Sequence, residues 1–368
     1  MAPESVADVF SRREYLRAGL VATLVSGSGC FAANDGEPGR LTVAGDDDSG
    51  GPFPVRDLPA YAAWIPATAH DSEPEVYFTH VDWETIGALE PEDEPDEDDL
   101  DVIREAPILG LPLIGAVLSG LAFFGIIFYP FTGDLHRDDE DGSGIEMHRM
   151  TWADDVLTFH GSFDPDVFDE QYSEAFEVTD EPDGFTIYAG TEDGTEEMAY
   201  AVSTDVLVVG MLPGEDEYDT EAVVTDAVMR YVDEADRIID EDNGRWLLET
   251  TGDAQLGVGA WQVDDLREAI DPPEDDEAAG ERMPDVDAAL EEYPVFDDAE
   301  HLVNTVTFAV DEGEMTDLEA QFAGIYPDDA VPTESELEDQ LLGTAEPSDI
   351  VIEDRRVYVA ATFDDIPE

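Results

Sequence analysis

A run of 26 residues without a charge, APILGLPLIGAVLSGLAFFGIIFYPF at positions 106–131, interrupts a chain in which 30% of the residues are charged. Such a segment leaves water, so whatever the chain folds into has to cover it. Its length satisfies the ~20 apolar residues that a bilayer-crossing helix requires. Ala116 and Gly120 make a small-xxx-small pair that lets helices approach closely. Pro107 and Pro112 interrupt the first turns, however, and glycines at 110, 115, 120 and 125 weaken a helix in water. Arg104 on one flank and Arg137 on the other give no positive-inside bias. Two readings remain open: a transmembrane helix, or a helical hairpin buried against the sheet or dipped into the outer leaflet.

The N-terminus carries an address. Positions 11–30 read SRREYLRAGLVATLVSGSGC: Arg12 and Arg13 lead a short uncharged body, and small residues precede Cys30. That layout is a cleaved export signal rather than a structural helix. Positions 11–17 resemble the twin-arginine export motif, with Tyr15 where phenylalanine is usual and Arg17 where lysine is. Gly29-Cys30 resembles the end of a lipobox, with Gly27 in place of the usual leucine. These resemblances imply export of a folded cargo, loss of residues 1–29, lipidation of Cys30 and a flexible tether over 30–54. They place the protein at the outer face of the cytoplasmic membrane. A single crossing by 106–131 would then return 137–368 to the cytoplasm and strand the β-like segment 75–82 alone, and a lone strand is not stable.

Charge sets the medium. Ninety-four Asp and Glu face 15 basic residues, all of them arginine, for a net charge of −79. Repulsion on this scale is screened only when the Debye length shrinks to about 3 Å, at molar salt. The composition resembles that of haloarchaeal proteins, and with the signal region it resembles the haloarchaeal twin-arginine lipoproteins. It argues against nucleic-acid binding, which needs a basic footprint. The acids are spread along the whole chain, unlike the focused surface of a nucleic-acid mimic. Cys30 is the sole cysteine, so the chain has no intramolecular disulfide and no thiolate zinc cluster.

Periodicity predicts strands at 75–82, 156–163, 184–189, 198–202, 206–211, 246–250 and 256–263. Asp164-Pro165 starts a helix reaching about residue 176, and Thr220 caps a helix over 221–239. Beyond an acidic stretch, hairpins are predicted over 303–322 and 350–363, with a Thr333/Glu336 capping box between them. The order points to an α+β fold: antiparallel sheets with helices packed on one face, plus the apolar helical segment at 106–131. The expected domains are 55–270 and 288–368, joined by an acidic linker at 271–287. Segments 75–86 and 157–167 share a strand, an Asp and a helix start, the outline of a distant internal repeat.

No catalytic, cofactor or metal constellation is present in the sequence: no GxGxxG, Walker loop, GxSxG, SxxK or HExxH. Of the six histidines (70, 80, 136, 148, 160 and 301), His80 and His160 fall in predicted strands and read as structural. Asp164, Asp166, Asp169 and Glu170 crowd a helix start, where Asp164 serves as the cap. Trp246 and Trp261 read as core residues of strands, and Arg355-Arg356 as a hairpin-tip ion pair. The expectation is a membrane-anchored surface or binding protein. The alternatives are an extracytoplasmic hydrolase built around His148 or His160, and an integral membrane component using 106–131. Screening the charge predicts that the unfolding midpoint of the purified chain climbs as NaCl rises from about 0.1 M to about 1 M, as the Debye length falls from ~10 Å to ~3 Å. A calorimetric midpoint that stays flat or falls would contradict the electrostatic account.

Overall fold

Strand pairing in the computed structural model runs through a single antiparallel sheet of twelve strands, in the order β11-β12-β10-β9-β8-β1-β2-β3-β7-β6-β5-β4. The structure describes residues 51–69, 75–87, 106–122, 145–173, 175–191, 195, 198–210, 219–262, 294–311, 314–343 and 345–363. The strands are β1 (Val76–Asp82), β2 (Ile145–Ala153), β3 (Val156–Phe163), β4 (Phe176–Asp180), β5 (Thr186–Gly190) and β6 (Ala199–Val202). Then come β7 (Val206–Gly210), β8 (Leu256–Trp261), β9 (His301–Asp311), β10 (Glu314–Ile325), β11 (Glu346–Glu353) and β12 (Arg356–Phe363).

Helices cover both faces, not one. The 3-10 turn Ala60–Trp64, α4 (Thr220–Asp233) and α5 (Asp242–Thr251) lie on the face that carries Val76, Phe78, Val156 and Val303. The opposite face carries Val81, Met150, Leu302 and Val306. It is covered by α1 (Trp83–Gly87), α2 (Pro107–Ala122), α3 (Pro165–Tyr172), α6 (Pro294–Asp297) and α7 (Glu334–Leu337). The reason is visible in the strands themselves. β6 (AYAV) and β7 (VLVVG) are buried at every position, so both sides of the sheet need cover. The α+β class and antiparallel pairing hold, while one-sided coverage does not.

The expected split into 55–270 and 288–368 does not divide the sheet. β8 pairs with β9 from Leu256↔Val306 to Trp261↔His301, so both stretches share one hydrogen-bonded ladder. The predicted linker at 271–287 falls outside the described residues. The segment predicted as a strand at 246–250 is part of α5. Its buried Gly244, Leu247, Leu248 and Thr251 recur at helical spacing, and Gly252 follows at φ +72°. β2 and β4 had no sequence prediction. The helix after Asp164 stops at Tyr172 rather than near 176, and Asp219, not Thr220, caps α4 by accepting from the Ala222 amide. The repeat outline survives locally: Asp82 accepts from the Thr85 amide at 3.0 Å, and Asp164 from Asp166 at 3.0 Å, each at the start of a helix after a strand.

Segment 106–131 resolves into α2 over its first part; 123–131 lie outside the described residues. The described part of α2 has 16 residues and is about 24 Å long. Among the described residues no helix is long and apolar enough to cross a membrane. Ile108 and Leu109 are buried in the core with Val81, Leu256 and Leu302. Gly115 lets the helix settle onto the sheet: a Cβ there would lie 3.1 Å from Thr79 and 3.5 Å from Val258.

Pro112 sits inside α2 and has no amide hydrogen, which frees the carbonyl of Ile108 four residues earlier. The side-chain amide of Asn304, fully buried on β9, donates to that carbonyl at 3.1 Å. The sheet thus completes the hydrogen bonding that the helix cannot. Asn304→Ala should cost about 1–3 kcal/mol by orphaning the carbonyl. In a Pro112→Ala background residue 112 regains its own N–H, and the same substitution should cost less. A double-mutant cycle in urea measures the coupling, and strict additivity would contradict it.

Candidate functional site

Residues 51–69 form a strap that crosses the sheet before β1. The Arg56 amide donates to the Glu249 carbonyl at 2.7 Å, and its guanidinium reaches the Tyr358 hydroxyl at 3.3 Å and Glu319 at 3.6 Å. Farther along, Ile238 donates to the Ile65 carbonyl at 2.9 Å. Between these anchors, two aromatic residues of the 3-10 turn land on two histidines. Tyr61 stacks on His80 with ring centroids 4.1 Å apart, and Trp64 meets His160 edge-on at 6.2 Å.

Strand register explains why these groups share one face. His80 lies opposite Thr151 on β2, which lies opposite Thr158 on β3. One step along, Asp82, Arg149 and His160 face one another across the same three strands. The result is a polar belt under the strap. His80 Nδ1 is 2.9 Å from the Thr151 hydroxyl. Arg149 bridges Asp82 at 3.3 Å and Asp253 at 3.7 Å. Burial drives the His80 imidazole well below its ordinary range, with Arg149 and His160 adding to the effect. Burial, then Arg149, lowers His160 to about 4. The Tyr61 hydroxyl is pushed up by burial and by Asp253. Asp253 is itself raised by burial, against the pull of Arg149. At neutral pH both histidines are therefore neutral, and Arg149 lies between the carboxyl groups of Asp82 and Asp253.

A second feature is an open pocket of about 490 Å³ at the start of α5, lined by Asp240, Glu241, Asp242, Asn243, Trp261, Gln262 and His301. Trp261 and His301 stack with centroids 4.1 Å apart. The Gln262 amide donates to His301 Nδ1 at 2.9 Å, which leaves the neutral ring's proton on Nε2. Burial and Arg355 lower the His301 pKa against the opposing Glu300. Arg237 pairs with Asp240 at 3.2 Å. Arg356 lies 4.8 Å over the Trp246 ring and donates to Asn243. Carboxylates on the rim and one imidazole donor suit a small polar guest.

Arg12, Arg13, Cys30, His70 and His136 lie outside the described residues. The structure brings His80 and His160 onto one face under the strap but does not bring His148 to them. His148 pairs with Glu84 at 3.3 Å on one side of the sheet, whereas His160 meets Arg149 and Trp64 on the other. Asp164, Asp166 and Asp169 are separate from both features. Among the described residues no group of three or more His, Cys, Asp or Glu could hold a metal ion. Trp246 sits on a helix rather than a strand, packed edge-on against Phe53 at 5.2 Å. Arg355 makes the expected ion pair, with Glu300 and Asp328. Sequence reading missed Tyr61, Arg149, Asp253 and the pocket. The alternating Thr, His and Asp of β1, β2 and β3 was the signal available for the belt.

No protein family matches the chain, and no curated protein does either. Among solved structures, crystal form IV of the protein TP0453 is similar over 84% of this chain and 93% of that chain. The identity is 9% and the TM-score 0.36, too low to carry an argument.

The belt fixes a pH dependence. His160 binds its proton more weakly folded (about 4) than unfolded (6.5), so its contribution to stability is present above 6.5 and is lost as pH falls toward 4. Relative to His160→Gln, the wild type should therefore lose up to ~3 kcal/mol between those limits. Parallel urea titrations at pH 7 and pH 4.5 measure it; equal losses in both proteins would contradict the assignment.

Proposed function

We propose that the protein is a lipid-anchored binding protein working at the outer face of the cytoplasmic membrane in high salt. The observation that carries the reading is the Arg12-Arg13 address followed by a sole cysteine, Cys30. Three features support it. The acidic, lysine-free composition suits molar salt. The packing of α2 on the sheet assigns the first part of 106–131 to the fold, which favours anchoring by lipid over anchoring by that segment. The pocket beside α5 offers a place for a polar guest. A hydrolase built on both histidines is less favoured, because His148 pairs with Glu84 on one side of the sheet while His160 lies under the strap on the other.

In a halophilic host, the wild type should fractionate with membranes and be digested by protease added to intact cells. Cys30→Ala should release the chain into the medium, and Arg12→Lys with Arg13→Lys should hold an uncleaved chain inside. Wild-type protein retaining Met1 in the cytosol would sink the proposal.

A further inference from the structure

The pocket beside α5 opens where β8 and β9 close their shared ladder at Trp261↔His301, and the first residues of α5 line the same opening. His301 is only 9% exposed. Its Nδ1 accepts from the Gln262 amide at 2.9 Å, and its ring is stacked on Trp261. Nε2–H has no protein partner among the described residues, and it is the donor that this buried ring offers to the pocket. Burial holds the imidazole neutral at neutral pH, with Arg355 adding to the effect against Glu300.

The acids of the rim are not equivalent. Asp240 is already taken by Arg237, which donates through its amide at 3.0 Å and its guanidinium at 3.2 and 3.3 Å. Glu241 makes no side-chain cap bond to α5, and neither it nor Asp242 has an ion-pair partner among the described residues. Asn243 Oδ1 accepts from Arg356 at 3.3 Å, so its side-chain nitrogen is left to donate. The opening thus combines two carboxylates that accept with two neutral groups that donate.

Each class of guest meets this set differently. An anion faces carboxylates with only neutral donors to answer it. A cation satisfies the carboxylates but sets donor against donor at His301 and Asn243. A hydroxyl donates and accepts through one oxygen, so several hydroxyls on a small frame answer both sets, and those given to carboxylates form charge-assisted bonds. In molar salt the Debye length is about 3 Å, which screens attraction by charge more than it disturbs direct hydrogen bonds. The volume of about 490 Å³ suits a small molecule.

We propose that this pocket binds a neutral polyhydroxylated small molecule, a sugar or polyol, with Glu241 and Asp242 accepting from its hydroxyls and His301 Nε2 and Asn243 donating to them. This rests on the binding-protein reading above and gives it a ligand class.

Calorimetric titration of the full chain in molar NaCl with glucose, glucosamine and glucuronate keeps the ring and varies the charge; glycerol and myo-inositol extend the series to polyols. At least one neutral probe should bind, and more tightly than either charged one. Binding of no neutral probe overturns the proposal, and so does a preference for glucosamine or glucuronate, which would mean that the pocket reads charge. For the neutral probe that binds, Asp242→Asn should weaken binding about tenfold and Asn243→Ala about threefold, with melting midpoints confirming that both variants fold. Unchanged affinity in both would place the probe elsewhere and overturn the assignment. Membrane fractionation tests the anchor separately, so a chain that is anchored yet binds no neutral probe fails here alone.

Discussion

The seam between β1 and β8 carries the rest of the fold, because it must be covered closely from both sides at once. β8 reads LGVGAW, and its glycines make this possible. At Gly259 a side chain would collide with the ring of Phe78 on the neighbouring strand, and a Cβ at Gly257 would lie 3.4 Å from the Tyr61 hydroxyl. On the other side Val258 meets Gly115 of α2. Small residues thus alternate with core residues so that a strap and a helix can both reach the same strand. The seam also joins sequence-distant parts of the chain: β1 brings in β2 on one side, and β8 brings in β9 on the other. Losing cover here would expose both faces at the middle of the sheet.

Electrostatics acts around that seam with few positive groups. Arg56 closes the strap, Arg149 ties Asp82 to Asp253, Arg237 pairs with Asp240 just before α5, and Arg245 pairs with Glu249 along it. Arg230 is half-buried near Asp226, Asp154 and Asp236, while Arg355 and Arg356 fasten the last hairpin to Glu300 and Trp246. Exposed pairs of this kind contribute little each. Their value here is positional, since they sit where loops and strap meet the sheet and acids would otherwise face one another. Apolar burial on two faces supplies the cohesion, and the arginines decide where the covering segments land.

Strands with strong alternation or long β-branched runs were legible without coordinates: β1, β3, β9, β10 and β12 stand close to their predicted limits. So was local chemistry, as in the Thr333/Glu336 capping box and the Asp164 cap. What failed did so for physical reasons. In α5, WLLETT is short, apolar and rich in threonine, and its helical period emerges only when Gly244 is counted as buried. Pairing between β8 and β9 is a long-range property that composition does not encode. Coverage on both faces was implied by VLVVG and was not drawn from it. For the belt, Thr151 and Thr158 look like ordinary strand residues, and only register places them in line with His80. Tyr61 lay in a segment with no predicted element at all.

The order in which the strap is fastened has a mechanical consequence. Coming from the N-terminal side, the chain meets the Phe53–Trp246 contact first, then the Arg56 clasp to Glu249, Glu319 and Tyr358, and only afterwards the Tyr61 stack on His80. Tension applied at residue 51 is therefore taken up by α5, β10 and β12 before it reaches the middle of the sheet. Arg56 acts as a strain relief, so that tugging at the leading end spares the seam on which the fold rests.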